Sequence, residues 1–174
     1  MNKHIFIVNG MARAGKDTFA EMLGDMIPTW KYSSIDKVKM VARHCGWDGG
    51  KTEADRKFLS DLKCLLTGYN DLPFKSILET VNIFYKHPLY QVFLIDIREP
   101  AEIERAKVAF NAKTIFIENS RVAQVTSNMA DAGVYNYKYD YIIENNGTLD
   151  EFRENIDEFA RKVGLITDGC AQES

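Results

Sequence analysis

The sequence predicts an α/β fold in which a parallel β-sheet carries helices on both faces. Two continuous apolar runs, at residues 5–8 (IFIV) and 92–97 (VFLIDI), have the composition of strands that are buried on both sides. Segments with helical spacing alternate with these runs and with shorter strand-like segments along the chain. This alternation is typical of parallel sheets, because two parallel strands need a crossover connection, which is usually a helix.

The first half of the chain combines strands with a glycine-bounded loop and several helices. In order, we expect a strand at 5–8, a loop at 10–15, a helix closed by Pro28 and a strand within 30–35. Three helices follow: one begins at Asp36, one covers 58–66 and one covers 77–84. Gly68 and Pro73 bound the interruption between the last two helices. The loop follows a strand and precedes a helix, which is the setting of a phosphate-binding loop.

The second half repeats the alternation of strands and helices. We expect strands at 92–97, 114–117 and 139–143, a helix opened by Pro100, and a last helix whose apolar face lies between 149 and 163. Thr148 and Glu151 have the spacing of a capping box, which marks the start of that last helix. Residues 168–174 are expected to form a flexible tail.

Composition narrows the class of protein. The chain has 174 residues, 45% hydrophobic and 27% charged, which fits one globular domain. A net charge of -3 offers no basic excess for a duplex nucleic acid, and no apolar run is long enough for a membrane span. Cys45, Cys64 and Cys170 are widely spaced, which fits reduced thiols in a cytoplasmic protein. We expect small-molecule partners, no nucleic acid and no membrane, and we leave a homodimer open.

The loop and the start of the next helix read GMARAGKDT over residues 10–18. Its glycines allow successive N–H groups to turn inward as an anion nest, and the helix N-terminus adds positive potential. Lys16 supplies a full charge that reaches terminal phosphates. The alternative is a glycine-rich turn with a surface lysine. The predicted ATP-binding residues are Gly10, Arg13, Ala14, Gly15, Lys16, Asp17 and Thr18.

Two carboxylates and a hydroxyl are candidate magnesium ligands. Asp17 stands where such loops usually carry Ser or Thr, and Thr18 follows it. A carboxylate is a hard oxygen donor that suits Mg²⁺, and its charge beside phosphates would be unfavourable without the metal. Asp96 ends a predicted strand, where an aspartate can hold Mg²⁺ or its water shell. We predict a Mg²⁺ site from these three residues. The alternatives are a helix-first-turn role for Asp17 and a capping role for Asp96.

Arg98 lies two residues after Asp96. Its planar guanidinium suits bidentate phosphate binding. Ligands of open parallel sheets bind beyond the carboxyl ends of the strands, so the segment 96–98 and the loop at 10–18 are expected to meet at one site. A solvated arginine, or an ion pair with Glu102, is the alternative.

These motifs resemble a known family. GKDT at 15–18, with Asp96, Arg98, Pro100 and Glu102 in a D-x-R-x-P-x-E pattern, is similar to the phage-type deoxynucleoside monophosphate kinases. More broadly, the chain resembles the P-loop nucleoside monophosphate kinase group, which includes dephospho-coenzyme A kinase. The resemblance implies a three-layer P-loop NTPase fold with a five-stranded parallel sheet. It also implies one kinase domain over 1–167, with a helical acceptor-binding insertion at about 36–86 and a short lid at about 118–138.

The resemblance implies that Asp36, at the start of the insertion, orients the molecule that accepts the phosphoryl group. Spacing adds independent support, because Asp36, Lys39 and Arg43 lie at i, i+3 and i+7 and therefore share one helix face. The predicted acceptor-binding residues are Asp36, Lys39, Arg43, Arg56 and Arg98. A solvated helix face with its own ion pairs is the alternative.

The lid is poor in arginine. Its predicted range contains only Arg121 and Lys138 as cations, whereas larger kinases of the group carry several arginines there. Arg121 is the candidate for stabilising transition-state charge, and Arg13 could share that task. The predicted catalytic residues are Lys16, Asp36, Arg98 and Arg121.

Together these features predict an enzyme that moves the γ-phosphoryl group of Mg-ATP to a small phosphorylated acceptor, with a nucleoside or deoxynucleoside monophosphate as the first choice. One alternative is a P-loop kinase for an acceptor of the dephospho-coenzyme A or phosphomevalonate type. Another is a nucleotide-binding sensor without useful catalysis. A GTPase is disfavoured because the chain lacks an Asn-Lys-x-Asp guanine motif.

Overall fold

The computed structural model describes residues 2–122, 134 and 137–167, which form five strands and six helices. The strands are β1 (His4–Asn9), β2 (Thr29–Ser33), β3 (Val92–Asp96), β4 (Lys113–Glu118) and β5 (Tyr141–Glu144). The helices are α1 (Lys16–Met26), α2 (Asp36–His44), α3 (Glu53–Asn70), α4 (Leu72–Lys86), α5 (Pro100–Phe110) and α6 (Leu149–Lys162). Most of the predicted lid, the predicted tail and Cys170 lie outside the described residues. Cys45 and Cys64 are free and exposed.

The sheet has the strand order β2-β3-β1-β4-β5. The central strand β1 pairs in parallel with β3 and with β4, and β4 pairs in parallel with β5. In the β1–β3 ladder, Val8 lies opposite Asp96. The segments that follow these two strands therefore begin side by side at the carboxyl edge of the sheet.

Both faces of β1 are buried. Phe6 and Val8 belong to a core cluster that also contains Phe19 of α1 and Phe159 of α6, and the Phe6 and Phe159 rings meet edge to face at 5.4 Å. Ile7 alternates with them along the strand and is fully buried as well. Helix α5 contacts β1 and β4. The parallel sheet with helices on both faces confirms the predicted fold class.

Residues 32–88 form a compact helical unit, separate from the unit built by the rest of the chain. Within it, α2, α3 and α4 contact one another. Its buried apolar side chains are Val38, Ala42, Leu59, Phe74, Ile77, Val81 and Phe84. Thr52 and Asp55 form a reciprocal capping box at the start of α3, because each side chain accepts a hydrogen bond from the other's backbone N–H. Among the described residues, no helix combines the length and apolarity needed to cross a membrane.

The interruption expected at 68–73 is much shorter than predicted. Helix α3 continues through Gly68 to Asn70, and α4 begins at Leu72. Asp71 alone reverses the chain, with a left-handed φ of 60°. Pro73 lies in the first turn of α4, where its missing N–H leaves no hydrogen bond unmade. A glycine or proline near a helix end is compatible with helix, which explains the error.

Two expectations about the C-terminal segment were also wrong in detail. Strand β5 begins at Tyr141, so Tyr139 precedes it and stacks on Phe116 with ring centroids 4.9 Å apart. Leu149 is 64% exposed and takes no part in the buried face of α6. The capping box is confirmed: the Thr148 side chain accepts a hydrogen bond from the Glu151 N–H, and the Glu151 carboxylate accepts one from the Thr148 N–H.

A polar clasp joins β4 to the residue before β5. The Thr114 N–H and hydroxyl both donate to Asp140 Oδ2, each at 2.8 Å, and the Asp140 N–H donates to Thr114 Oγ1 at 2.9 Å. Partial burial raises the pKa of Asp140, but the hydrogen bonds from Thr114 outweigh it and lower that pKa below its usual value. Thr114 is fully buried. The clasp therefore stabilises the folded chain only while Asp140 is ionised.

We predict that Asp140→Ala lowers the free energy of unfolding by about 1–2 kcal/mol at pH 7, because buried donors of Thr114 lose their acceptor. Since the folded-state pKa is depressed, the clasp contributes above the ordinary carboxyl pKa of about 3.9 and is lost as the pH falls through the folded value. Urea unfolding at pH 7 and pH 3 measures both effects. The difference between wild type and variant should shrink at pH 3.

Asp61→Ala is the matched control for this comparison. Asp61 pairs with Lys57 at 2.6 Å on the exposed side of α3, and such surface pairs contribute less than about 0.5 kcal/mol. An equal loss in both variants, or a loss at Asp140 that does not change with pH, would contradict the role of the clasp.

Candidate functional site

The loop between β1 and α1 has the backbone of an anion-binding nest. Gly10 has a φ of 151°, Arg13 a φ of 66° and Gly15 a φ of 106°. A left-handed residue beside a right-handed one turns successive N–H groups toward one point, and Arg13 and Gly15 on either side of Ala14 give this loop that property. Helix α1 begins at Lys16, immediately after Gly15, so its N-terminal N–H groups face the same region.

The two glycines of this loop are also required by close contacts. A Cβ on Gly10 would lie 2.7 Å from the carbonyl oxygen of Ile117, at the end of β4. A Cβ on Gly15 would overlap the side-chain amide of Asn145. Both neighbours belong to the sheet edge, so the loop is pressed against the ends of β4 and β5.

Lys16 folds back over the loop. Its Nζ donates to the carbonyl oxygens of Gly10 at 2.7 Å and Met11 at 2.8 Å. Burial, assisted by the charge of Arg98, lowers the pKa of Lys16 to about 8. The ammonium therefore sits in a poorly hydrated position beside the nest. A bound polyphosphate would offer this cation charged acceptors in place of two neutral carbonyls, and charge-assisted hydrogen bonds are the stronger kind.

Asp96 lies at the carboxyl end of β3. One carboxylate oxygen, Oδ2, is 3.2 Å from the Lys31 ammonium, while the other, Oδ1, is buried without a hydrogen-bond partner. Burial raises the pKa of Asp96 above the usual aspartate value, although Lys31 opposes that rise. A buried carboxylate oxygen without a donor has an unmet requirement, because burial of a polar group is unfavourable unless it is paired.

Lys31 of β2 was missed at the sequence level. Its ammonium makes ion pairs with Asp17 in the first turn of α1 and with Asp96. Burial lowers the pKa of Lys31, but the hydrogen bond to Asp17 and the charges of Asp96 and Asp17 together raise it. The available signal was a charged residue inside a segment predicted as a strand. Nothing local in the sequence indicated that it would reach two separate carboxylates.

The predicted magnesium ligands fit a hard cation in chemistry. Asp17 and Asp96 both contact one cation, and Asp96 Oδ1 is an orphaned buried oxygen. Thr18, the next residue after Asp17 in α1, is partly buried. Within the part of the chain that the structure describes, no group of three or more His, Cys, Asp or Glu side chains is placed to hold a metal ion. Asp17, Thr18 and Asp96 therefore stay predicted magnesium ligands, which would supply two carboxylates and one hydroxyl.

Asn9 is a second residue that the sequence did not reveal. It is buried, and its Oδ1 accepts the Gly10 N–H at 2.8 Å. Its Nδ2 donates to the Tyr139 hydroxyl at 2.9 Å and to the Arg98 carbonyl at 3.4 Å. Tyr139 in turn donates to the Val134 carbonyl. Asn9 thus ties the start of the loop to the backbone of Arg98, whose side chain is exposed at the same edge of the sheet.

Asn145 supports the other end of the loop. Its Nδ2 donates to the Ala14 carbonyl at 2.8 Å, and its backbone N–H donates to the Glu118 carbonyl at 2.7 Å. Arg121 donates through Nη2 to the Asn145 carbonyl at 3.0 Å, and its side chain is exposed. The structure therefore places Arg121 against Asn145, the residue that supports the loop.

The predicted acceptor residues other than Arg98 lie on the helical unit. Asp36 Oδ2 accepts the Ser33 N–H at 2.8 Å, and its Oδ1 is 4.0 Å from Lys39 Nζ. Arg43 stands over the Trp47 ring at 6.0 Å from its centroid. Arg56 is exposed on α3. Asp36 and Lys39 thus share one helix face and form a loose ion pair, and their predicted role stays a prediction.

Within the sheet unit, the structure brings most predicted site residues together. The electrostatic surroundings of Lys16 include Asp17, Asp96, Arg98 and the unpredicted Lys31. Among the described residues, two carboxylates and two further cations therefore act electrostatically on Lys16. Such an arrangement can hold a polyanion and, through its carboxylates, a divalent cation.

Comparison with known proteins supports the fold and little beyond it. No protein-family model matches the chain, and no curated protein sequence matches it. A putative kinase from Chloroflexus aurantiacus is similar in structure, with a TM-score of 0.56 and 14% identity over 95% of this chain and 98% of that one. Dephospho-CoA kinase from Campylobacter jejuni has a TM-score of 0.52 and 20% identity over 92% and 97% of the two chains. Shikimate kinase from Aquifex aeolicus has a TM-score of 0.50 and 13% identity over 94% and 99%.

Two of these similar structures are kinases that are named for different acceptors, dephospho-CoA and shikimate. At such low identity they show a shared fold, which agrees with the five-stranded parallel sheet. The narrower resemblance to phage-type deoxynucleoside monophosphate kinases stays a prediction.

We predict that Asn145→Ala loosens the loop without unfolding the chain, because the Ala14 carbonyl loses the hydrogen bond from Asn145 Nδ2. A hydrogen bond of this kind contributes about 1 kcal/mol, so exchange of amide hydrogens at 10–15 should accelerate by about fivefold. Hydrogen–deuterium exchange measures this, with the amides of α2–α4 as internal reference. Asn146→Ala is the control, because Asn146 Oδ1 accepts from the Ser120 N–H and not from the loop. Equal exchange of the loop in both variants would contradict the support role.

Proposed function

We propose that the protein is an ATP-dependent phosphotransferase that moves the γ-phosphoryl group to a small phosphorylated acceptor, with a nucleoside or deoxynucleoside monophosphate as the first candidate. The observation that carries the proposal is the anion nest at 10–15 with the Lys16 ammonium folded over it, beside the strand-end residues Asp96 and Arg98. A binding site for an uncharged molecule would have no need of this convergence of cations and inward-facing N–H groups.

The chemistry follows from positioning and charge. The loop N–H groups and Lys16 would bind the β- and γ-phosphates, and Arg98 would bind phosphate oxygens through its planar fork. Asp17, Thr18 and Asp96 would hold Mg²⁺, which when bound neutralises charge on the phosphates. Transfer of a phosphoryl group needs little covalent help from the protein, so residues that orient both substrates carry most of the effect.

The choice of acceptor rests on sequence motifs. GKDT at 15–18 and the D-x-R-x-P-x-E pattern at 96–102 favour a monophosphate acceptor through the resemblance described above. An acceptor of the dephospho-coenzyme A type is the second candidate, supported by the structural similarity to dephospho-CoA kinase. A phosphomevalonate-type acceptor and a non-catalytic sensor are the remaining alternatives.

We further propose that residues about 36–86 serve as the acceptor-binding insertion of one kinase domain over 1–167, and that 118–138 serves as its lid. Asp36, Lys39 and Arg43 supply a carboxylate and two cations on one helix, which suits a hydroxyl and a phosphate on one acceptor. Arg56 is a further cation for acceptor phosphate. Arg121 is proposed to stabilise charge in the transition state, with Arg13 as its helper.

The decisive assay is ADP release from Mg-ATP across a panel of acceptors. The panel contains the ribo- and deoxynucleoside monophosphates, dephospho-coenzyme A and phosphomevalonate. We expect turnover with one class of acceptor and a loss of roughly 10²–10³-fold in Lys16→Ala, because that variant removes the cation nearest the transferring charge. Lys86→Ala, at an exposed position in the last turn of α4, is the matched control and should retain activity.

The outcomes of this assay separate the alternatives. ATP binding without turnover on any acceptor would replace the kinase proposal by a sensor. Turnover on dephospho-coenzyme A alone would keep the phosphotransferase and correct the acceptor. Absence of ATP binding would show that the nest at 10–15 has another ligand.

We predict that Arg43→Ala raises the KM for the acceptor by about tenfold and leaves the KM for ATP within about twofold, because loss of one charge-assisted contact is worth about 1.5 kcal/mol. Steady-state kinetics with each substrate varied in turn measures both constants. Lys57→Ala is the control, since Lys57 already pairs with Asp61 on an exposed face. Equal rises in both KM values would argue against an acceptor-specific role for Arg43.

A further inference from the structure

We propose that the Lys31 ammonium is the counter-ion of Asp17 and Asp96 in the metal-free protein, and that it occupies the position that a divalent metal would take between them. The metal would then enter the site together with the nucleotide. The inference concerns the metal side of the proposed nucleotide site and rests on that proposed function. It adds a positioning residue that no sequence motif indicated.

The geometry places one ammonium on two carboxylates from different elements. Asp17 belongs to the first turn of α1, Asp96 ends β3, and Lys31 lies in β2. Lys31 Nζ contacts Asp17 Oδ1 and is 3.2 Å from Asp96 Oδ2. A divalent cation that used both carboxylates would need this same position. Two carboxylates would repel each other there without a cation, so the ammonium stabilises the arrangement in the absence of metal.

The exposed fractions of the three side chains show which of the two ion pairs of Lys31 is the stronger. Asp17 is 87% exposed and Asp96 is 21% exposed, with Lys31 between them at 30%. The contact with Asp96 is therefore shielded from water, and the contact with Asp17 is open to exchange. Asp96 Oδ1 is buried without a hydrogen-bond partner, so the negative charge of this carboxylate is incompletely compensated and would gain from a cation of higher charge in the Lys31 position.

The charges around Lys16 explain why metal and nucleotide should arrive together. Among the described residues, Lys16 interacts electrostatically with the cations Lys31 and Arg98 and with the carboxylates Asp17 and Asp96, which makes three positive charges and two negative ones. A bare divalent cation would add to an existing excess of positive charge, whereas a metal–nucleotide complex brings net negative charge. The polyphosphate also offers anionic oxygens that take over the ammonium of Lys31 when the metal occupies the carboxylates.

The test is the binding of Mn²⁺ alone to the nucleotide-free protein, followed by electron paramagnetic resonance. Wild type should bind Mn²⁺ weakly, and Lys31→Met should bind it at least about tenfold more tightly, because removal of one like charge a few ångströms away is worth well over that factor. Lys31→Arg keeps the charge and should bind as wild type does. Lys75→Met, at an exposed site on α4, is the matched control and should show no gain.

The gain in Mn²⁺ affinity of Lys31→Met must depend on the carboxylates of Asp17 and Asp96. Adding Asp96→Asn to Lys31→Met should abolish it, which distinguishes this site from adventitious binding elsewhere. Lys31→Gln, which keeps a hydrogen-bond donor, is the second neutral variant if circular dichroism shows that Lys31→Met is unfolded. Equal Mn²⁺ affinity in wild type and the folded neutral variant would overturn the proposal.

Failure of this inference and failure of the proposed function give different results. Binding of a fluorescent ATP analogue to wild type in the presence of Mg²⁺ reports on the nucleotide site separately. A tighter Mn²⁺ site in Lys31→Met without any nucleotide binding would support the counter-ion role and refute the kinase. Normal acceptor-dependent turnover with unchanged Mn²⁺ affinity in the neutral variant would support the kinase and refute the counter-ion role.

Discussion

The parallel pairing of β1 with β3 is the constraint on which the site depends. Because Val8 lies opposite Asp96, the segment that leaves β1 and the segment that leaves β3 start at the same edge of the sheet. The nest at 10–15 and the polar residues Asp96 and Arg98 are neighbours for this reason alone. The pairing is stable because both strands are buried on both faces, so a slip by one residue would move each apolar side chain to a different environment.

An anion nest is an unfavourable structure until its ligand arrives, because its N–H groups point at one place and Arg13, which is not a glycine, has a left-handed backbone. Asn9 and Asn145 hold it from its two ends, through Gly10 N–H and the Ala14 carbonyl. Asn9 is the last residue of β1 and Asn145 follows β5, so the edge of the sheet keeps the nest in shape. Lys16 donates to carbonyls of the loop in this state, which satisfies the ammonium until stronger acceptors replace them.

The parts of this arrangement that depend on local sequence could be predicted, and the parts that depend on distant contacts could not. Apolar runs indicated β1 and β3, and the Thr148–Glu151 spacing indicated the start of α6. The same local reasoning predicted too long a break between α3 and α4, because a glycine or a proline near the end of a helix does not by itself exclude helical structure. The contacts of Lys31 with Asp17 and of Asn145 with Ala14 could not be predicted, since they join residues that lie 14 and 131 positions apart in the chain.

The presence of Asp17 gives Lys31 its physical reason. A Ser or Thr at this position would offer a neutral hydroxyl to a metal and would need no counter-ion. A carboxylate in the first turn of α1 gains from the helix dipole, but it adds a negative charge where the proposed function places the phosphates. Lys31 offsets that charge and Asp96's together, from a strand that neither carboxylate occupies. Asp17 and Lys31 are therefore best understood as a pair. Under the proposed function, the Asp17 carboxylate would strengthen metal binding, and the Lys31 ammonium would keep the two carboxylates from repelling polyphosphate before the metal is bound.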